Sequence, residues 1–232
     1  MYKLRFRALV LAVLTAAFLP FTVAHADDRS EAFKRSSDAV RVLRQIQMAP
    51  DKAIPQDLLR HARAIVVVPN VIKAGLVFGG SHGRGLVSVK TPNGTWSNPV
   101  FISLTSASVG FQAGVSSTDV VLVFRTQHGV DSLVDGKFTL GVDAAAAAGP
   151  VGRNAHASTD AQLKAEIYSY SRSRGLFAGV SLNGAVLSID YAADKAVYGP
   201  GITPRRIFEG GVTNVPSAVV DFRDSLEEYT AQ

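Results

Sequence analysis

Cysteine is absent from the 232 residues of the chain. Its absence excludes disulfide bonds, thiolate metal sites, a cysteine nucleophile and an N-terminal lipid anchor attached to cysteine. Long apolar runs are also absent after residue 26, where nothing approaches the roughly 20 residues that a membrane-spanning helix needs. We therefore expect a folded domain that is soluble or peripheral to a membrane.

The sequence also has little that could carry catalysis. It has neither a phosphate-binding G-x-x-x-x-G-K-[ST] nor an H-E-x-x-H zinc motif. The histidines after the leader are scattered singly, at His61, His82, His128 and His156. Residues 79–83 have the G-x-S-x-G spelling of a nucleophile elbow, but the residues after them are typical of a strand where that motif needs a helix. We expect no enzyme, no metal and no cofactor, with a serine hydrolase using Ser81 as a remote alternative.

The first 26 residues have the pattern of a signal peptide. The cations Lys3, Arg5 and Arg7 precede the apolar run "ALVLAVLTAAFLPF", and Ala24-His25-Ala26 has the small-x-small pattern of a cleavage site. We expect residues 1–26 to be removed, which leaves an exported protein in the bacterial periplasm or outside the cell.

The charge balance is only mildly basic once the leader is set aside. The chain has 24 Lys and Arg against 19 Asp and Glu, a formal net charge of +5, and three of these cations lie in the leader. Dedicated nucleic-acid binders carry a much stronger positive field, so no nucleic-acid partner is expected.

A basic amphipathic helix is predicted over residues 30–47. Its apolar positions recur at helical spacing, at Phe33, Val40, Leu43 and Ile46. Its cations are expected largely off that stripe, at Lys34, Arg35, Arg41 and Arg44. Either the stripe docks the helix on the core, which the pattern favours, or the helix lies on a membrane surface.

From residue 64 onward the pattern changes to short strands rich in Val, Ile and Phe. Pro92-Asn93-Gly94 predicts a hairpin turn, and Asn183-Gly184 predicts a second turn between "LFAGVSL" and "AVLSIDY". "SVGFQAGVS" is predicted as a strand of its own. Strands this close in sequence must be mostly antiparallel. The expected fold class is therefore α+β: a curved antiparallel sheet, sandwich or barrel flanked by N- and C-terminal helices.

Other segments complete this prediction. Helices are expected after Ile54-Pro55, near Ser132 and over residues 216–228, and "GVDAAAAAGPVGR" is read as a short helical turn or buried connection. Several glycines fall within or beside strand-like runs, where they favour sheet curvature or close packing over a ligand cradle. The structural glycines are Gly79, Gly80, Gly83, Gly85, Gly149, Gly175 and Gly179.

Two further cations, Arg172 and Arg174, stand in the stretch "SRSRGLFAGVSL". Alternate residues of a strand face the same side, so both guanidinium groups could bind phosphate oxygens together. The alternative is a solvated strand edge or pairing with carboxylates. The candidate lipid-binding residues are thus Lys34, Arg35, Arg41, Arg44, Arg172 and Arg174.

Five stretches together resemble the SYLF domain family: residues 54–104, "GFQAGVSSTDVVLVFRT", "KFTLGVDAAAAAGPVGR", "YSYSRSRGLFAGVSLNGAVLSID" and "DKAVYG". The elements "SRSRGLFAGVSL" and "AAGPVGR" are the most specific of them. The resemblance covers roughly residues 38–200. It predicts a SYLF-type domain over residues 27–200, with residues 201–232 as a helical extension packed on the same domain.

The resemblance implies a non-catalytic phospholipid-binding module. Phosphoinositides and phosphatidic acid are the family's eukaryotic ligands, and some eukaryotic members bind actin. Actin binding is not expected for an exported protein, for which phosphatidylglycerol, cardiolipin or phosphatidic acid at the envelope is the expected partner. The alternative is a structural or protein-interaction module of the envelope that binds no lipid.

Overall fold

The structure, a computed structural model, describes residues 22–48, 54–75, 78–109, 114–151, 164–173 and 176–231. The helices of this part are α1 Thr22–Gln47, α2 Gln56–Arg60, α3 Gln127–Val134, α4 Tyr191–Tyr198, α5 Pro204–Phe208 and α6 Ser217–Thr230. The strands are β1 Ala64–Gly75, β2 Phe78–Val89, β3 Val100–Val109, β4 Gly114–Phe124, β5 Lys137–Thr139, β6 Ala146–Ala148, β7 Ile167–Ser173, β8 Leu176–Gly179 and β9 Val186–Ile189. Side-chain caps explain where three helices begin, because Thr126, Asp190 and Thr203 each accept a backbone N–H of the first turn.

All nine strands form one curled sheet in the order β5-β9-β3-β2-β1-β4-β7-β6, and β8 pairs with β7. Every pairing is antiparallel except that of β6 with β7. The expected α+β class with a mostly antiparallel sheet is confirmed. We call the end where β1 finishes at Gly75 and β4 begins at Gly114 the distal end. The end where β1 begins and β4 finishes is the proximal end.

The sheet has an apolar core on each face, which is why its central strands lack a polar alternation. One core joins Ile65, Leu86 and Val121 to residues of α1, α2, α4 and α6. The other joins Val66 and Leu122 to residues of α3 and α5. Sheets buried on both faces read as continuous apolar runs, as "AIVVV" at the start of β1 does.

Helix α1 docks on the first of these cores, as the apolar stripe favours. Leu43 and Ile46 are buried, while Phe33 and Val40 pack at the edge of the core. The helix begins at Thr22, ahead of residue 30 where the sequence prediction began. The removal of residues 1–26 stays a prediction.

The alanine run forms a strand and not a helical turn. Ala146–Ala148 pairs in parallel with Ile167–Ser169 of β7. Five alanines are too few to hold an isolated helix, so the backbone hydrogen bonds offered by β7 decide the conformation. The expectation of a short helix there is wrong.

Two strand expectations are also wrong. The described residues of the stretch 108–116 belong to two different strands, because β3 ends at Val109 and β4 begins at Gly114, and residues 110–113 lie outside the described residues. The predicted turn at Asn183-Gly184 is present, with Gly184 at φ +82°, but the strands beside it do not pair with each other. β8 pairs with β7, whereas β9 lies between β3 and β5.

Close packing accounts for four of the predicted structural glycines. A Cβ on Gly85 would lie 2.2 Å from the carbonyl oxygen of Val67, and one on Gly149 would lie 2.1 Å from Cζ of Tyr170. These distances leave no room for a side chain. A Cβ on Gly179 or Gly83 would also be crowded, whereas a Cβ on Gly80 would have more room. Gly79 lies in β2. Gly175 lies outside the described residues.

Candidate ligand-contact surfaces

The exposed cations of α1 are largely paired with acids of the same helix. Lys34 Nζ lies 2.9 Å and Arg41 Nη2 lies 3.2 Å from the carboxylate of Asp38. Burial alone would raise the pKa of Asp38, but hydrogen bonds and charges from Lys34 and Arg41 outweigh it and lower the pKa. Arg44 is exposed and has no ion pair within the described residues. The solvent face of α1 is therefore close to neutral.

Arg35 lies on the buried face of α1, contrary to the sequence expectation. The residue is only 7% exposed. Its guanidinium lies 3.0 Å from Asp190 Oδ2 and 3.5 Å from Glu31 Oε1, and it stacks over the ring of Phe101. These contacts tie α1 to the sheet and to the cap of α4, so Arg35 is not available to a membrane.

Arg172 is also held by the fold. Its Nη1 lies 3.2 Å from Asp119 Oδ2, and its guanidinium stacks over Phe177. Asp119 in turn accepts the backbone N–H of Asn70, which has φ +51° at a bulge in β1. Pairing with a carboxylate, the alternative left open by the sequence, is the arrangement observed. Arg174 lies outside the described residues.

Exposed apolar side chains gather at the distal end. Ile72 is 55% and Val115 is 78% exposed. Ile72 pairs with Ser117, and Ala74 with Val115. Because paired residues face the same side and side chains alternate, Ile72, Ala74 and Val115 share one face. We call these three residues the distal patch. Leu176, 62% exposed, begins β8, which pairs with β7 and is not adjacent to β1 or β4.

A groove of about 380 Å³ separates the distal patch from α1. It is lined by Ile72 and His82 from the sheet and by charged residues, among them Lys34 and Arg84. Arg84 Nη1 lies 2.9 Å from Glu31 Oε1. Both cations are exposed and paired, so an ionic ligand could replace their partners at small cost. We call this the distal groove.

A larger cleft, of about 670 Å³, opens at the proximal end. The hairpin turn at residues 91–95, Trp96 and the C-terminal end of α5 line it. Three cations, Arg63, Lys90 and Arg223, face one carboxylate, that of Glu209. Sequence reasoning missed this proximal cleft because its residues come from five separate segments. It also missed the distal patch, since an apolar residue at the end of a strand reads like any core residue.

The G-x-S-x-G spelling does not form a nucleophile elbow. Ser81 lies within β2, which continues to Val89, and its Oγ lies 2.6 Å from Ser106 Oγ. Within the described ranges no group of His, Asp or Glu residues is arranged to hold a metal ion. No helix of the same ranges is long and apolar enough to cross a membrane.

This arrangement defines a class of protein: a one-sheet α+β domain whose described part has an exposed apolar patch, a groove and a cleft. Comparison with known proteins gives the family. A family model described as "Ysc84: Las17-binding protein actin regulator" matches residues 105–229. The match passes residue 200, so it includes α5 and most of α6.

Curated relatives match over most of the chain. It is 35% identical to LAS seventeen-binding protein 3 of Saccharomyces cerevisiae over 176 residues, which are 75% of this chain and 38% of that protein. It is 31% identical to SH3 domain-containing YSC84-like protein 1 of Bos taurus over 205 residues, 87% of this chain and 59% of that protein.

The chain belongs to the Ysc84 family, and the SYLF resemblance is thereby confirmed. It spans between two fifths and three fifths of the length of these relatives. Their names describe binding and regulatory proteins, which supports a binding module at the level of the family.

Proposed function

We propose that this protein binds anionic phospholipid, without catalysis, as a peripheral protein of a cell-envelope membrane. The observation that carries the proposal is the distal patch. Its large side chains, Ile72 and Val115, stand in solvent on a face that bears α1 elsewhere along the sheet. Contiguous exposed apolar residues with a polar rim are typical of contact surfaces, and a bilayer is one such partner.

The direction of α1 supports a membrane at this end. Ile46, near its C-terminus, and Ile65 of β1 line one small cavity at the proximal end. Glu31, near its N-terminus, contacts Arg84 and lines the distal groove with Ile72. The helix therefore enters the fold from the distal end. The apolar leader precedes it in sequence, so a membrane that holds the leader during export would face the distal patch.

The energetics fit reversible binding. Burial of a large aliphatic side chain contributes about 1.5–3 kcal/mol when it is complete. Ile72 and Val115 are already partly covered, so together they would contribute roughly 2–4 kcal/mol. That is weak alone, and peripheral binding of this kind needs a second attraction, such as that of cations to anionic lipid.

Cations near the distal patch would supply that attraction. Lys73 is exposed and has no ion pair among the described residues, and it lies at the distal end on the face of β1 opposite to the patch, where a membrane that meets the tip of the sheet would reach it. The Lys34 side chain is 76% exposed although it pairs with Asp38. An exposed ion pair contributes about 0–1 kcal/mol, so Lys34 can exchange Asp38 for a lipid phosphate. Arg35 and Arg172 pair with Asp190 and Asp119 within the fold, so they do not contribute to this surface.

The test replaces one exposed apolar residue at each end of the fold. Val115→Asp should lower the vesicle-bound fraction about tenfold or more, because it loses apolar burial and adds a charge of the wrong sign. Met48→Asp is the matched control, since Met48 is 71% exposed and follows α1 at the proximal end. Equal binding of the two variants would contradict the proposed surface.

The absence of cysteine allows a second readout. Val115→Cys and Met48→Cys each give one labelling position for an environment-sensitive fluorophore. Anionic vesicles should shift the emission of the probe at residue 115 toward the blue and leave that at residue 48 unchanged. A shift at residue 48 alone would place the membrane at the proximal end.

Protein binding is the second candidate function. The family description refers to Las17 binding and actin regulation, and the yeast relative is named for binding LAS seventeen. Self-association that is insensitive to salt, together with failure to bind any vesicle, would favour a protein-interaction module of the envelope.

A further inference from the structure

We propose that the proximal cleft binds a small phosphate-bearing ligand from solution. This inference does not depend on lipid binding. The cleft of about 670 Å³ lies within the range of small-molecule sites, roughly 300–1,000 Å³.

Asn98 provides the most specific feature of the cleft. The residue is 8% exposed, and its Oδ1 accepts a hydrogen bond from Arg223 Nη1 at 3.2 Å. A guanidinium can only donate, so the interacting atom of Asn98 must be its oxygen. The Nδ2 group is then left as a donor with no partner among the described residues, in a side chain that lines the cleft. This donor keeps contact with solvent in the cleft, so an acceptor on a ligand could take the place of water there.

The cations around Asn98 favour an anionic acceptor. Arg63 is exposed, and its side chain has no hydrogen bond or ion pair within the described ranges. Lys90 Nζ donates to the Arg60 carbonyl at 3.3 Å and keeps two further N–H groups. Arginine forks and lysine ammonium groups are the usual partners of phosphate oxygens.

Two acids beside the cleft already have partners, because Glu227 Oε1 accepts the backbone N–H of Trp96 and Asp224 pairs with Arg223. Glu209 is the one carboxylate that lines the cleft. Asp224 lies outside it, 2.9 Å from Arg223 Nη2, and neutralises that cation from the other side. Arg63, Lys90 and the Asn98 amide remain as donors that a phosphate group could accept from.

The position of the cleft favours a soluble ligand over a lipid head group. Arg63 directly precedes β1, whereas Ile72 of the distal patch lies near the other end of that strand. At about 3.3 Å per residue the two are roughly 25–30 Å apart. A bilayer that touches the distal patch would leave the cleft facing away from it.

Trp96 provides a natural probe of this site. It is the one tryptophan in the sequence, it lines the cleft, and Lys90 Nζ lies 5.6 Å from its ring centroid. Inorganic phosphate and glycerol 3-phosphate would each be titrated into the protein comprising residues 27–232. Sodium chloride at matched ionic strength would be the blank. We expect a saturable change in Trp96 fluorescence with a dissociation constant of about 1 mM or tighter, confirmed by calorimetry.

The informative variant is Asn98→Asp. It keeps an oxygen for Arg223 and replaces the amide donor by a carboxylate, so the fold should persist while anion binding weakens about tenfold or more. Arg63→Gln should weaken binding similarly. Arg205→Gln is the matched control, because Arg205 is exposed on α5, has no ion pair in the described part of the chain and does not line the cleft.

Three results would overturn the inference. They are the lack of a saturable response beyond the chloride blank, unchanged affinity in folded Asn98→Asp, and a response to phosphatidic acid vesicles without one to the soluble phosphates. The first two results do not bear on vesicle binding through Val115. The third would place the membrane at the proximal end, which the probes at residues 115 and 48 test separately, so failure here and failure of the proposed function are distinguishable.

Discussion

Replacing Asp194 with Asn should change how the stability of the fold depends on pH. Asp194 is 1% exposed in α4, where its Oδ1 accepts the backbone N–H of Phe101 at 2.9 Å. Its Oδ2 has no hydrogen-bond partner in the described residues. Burial raises the pKa of Asp194 to about 8, with the neighbouring charge of Asp190 adding to it and the Phe101 N–H and Arg35 opposing it.

The sign of the effect follows from proton binding. In the unfolded chain the Asp194 carboxyl has its ordinary pKa of 3.8, so it loses its proton at low pH, whereas the folded protein keeps that proton until about pH 8. Between these values the native state binds more protons, and the free energy of unfolding falls as pH rises. A pKa raised this far corresponds to roughly 5 kcal/mol across the whole interval.

Asn keeps the acceptor for Phe101 and cannot ionise. We therefore expect the free energy of unfolding of Asp194→Asn, relative to the original protein, to increase by several kcal/mol between pH 5 and pH 8. Urea denaturation at a series of pH values would measure this difference. The contributions of the titratable groups that both proteins share cancel in it. Asp135→Asn, at an exposed carboxyl, is the control. A difference that stays constant with pH would refute the reasoning.

Two further predictions concern packing and the docking of α1. Gly85→Ala should lower the free energy of unfolding by about 3 kcal/mol or more, because its Cβ meets the backbone oxygen of Val67. Gly80→Ala is the control and should lower it clearly less, because the nearest atom to its Cβ is 3.3 Å away. Equal losses in thermal or urea denaturation would contradict this reasoning. Arg35→Ala should cost about 3–5 kcal/mol and speed amide exchange throughout α1, because it leaves Asp190 without its cation. Unchanged exchange would show that the apolar stripe alone holds the helix.

Local patterns predicted much of the fold. The turn at residues 92–94 lies between β2 and β3, which pair as expected, and Gly94 has φ +83°. The helix expected after Ile54-Pro55 is α2, with Pro55 at its N-cap position and with Leu58 and Leu59 buried. These features depend on a few neighbouring residues, which is why they can be recognised without knowledge of distant partners.

Features set by distant partners were not predictable in the same way. β6 is a strand because β7 lies beside it, and "LFAGVSL" pairs backward with β7 instead of forward across the turn. The spacing of Arg35 along α1 did indicate its burial. Arg35 lies three residues after Ala32 and four before Ala39, so it shares a helix face with these two small residues, both of which are fully buried. Its partner Asp190 is 155 residues away in sequence, and nothing local indicates that pairing.

The same contrast between local and distant information holds for the candidate surfaces. The sequence found the cations of α1 and β7 but not their partners Asp38 and Asp119, so it overstated the charge available to a membrane. The distal patch and the proximal cleft exist only once separate strands are brought together.

Vesicle co-sedimentation of residues 27–232, the chain that the signal-peptide prediction leaves, is the measurement that tests the central claim most directly. Neutral, phosphatidylglycerol, cardiolipin and phosphatidic acid vesicles would be compared at low and high salt, with Val115→Asp and Met48→Asp alongside. The account predicts binding that needs anionic lipid, weakens with salt and is lost in Val115→Asp alone. Failure to bind any vesicle would contradict lipid binding and direct attention to protein partners in the envelope.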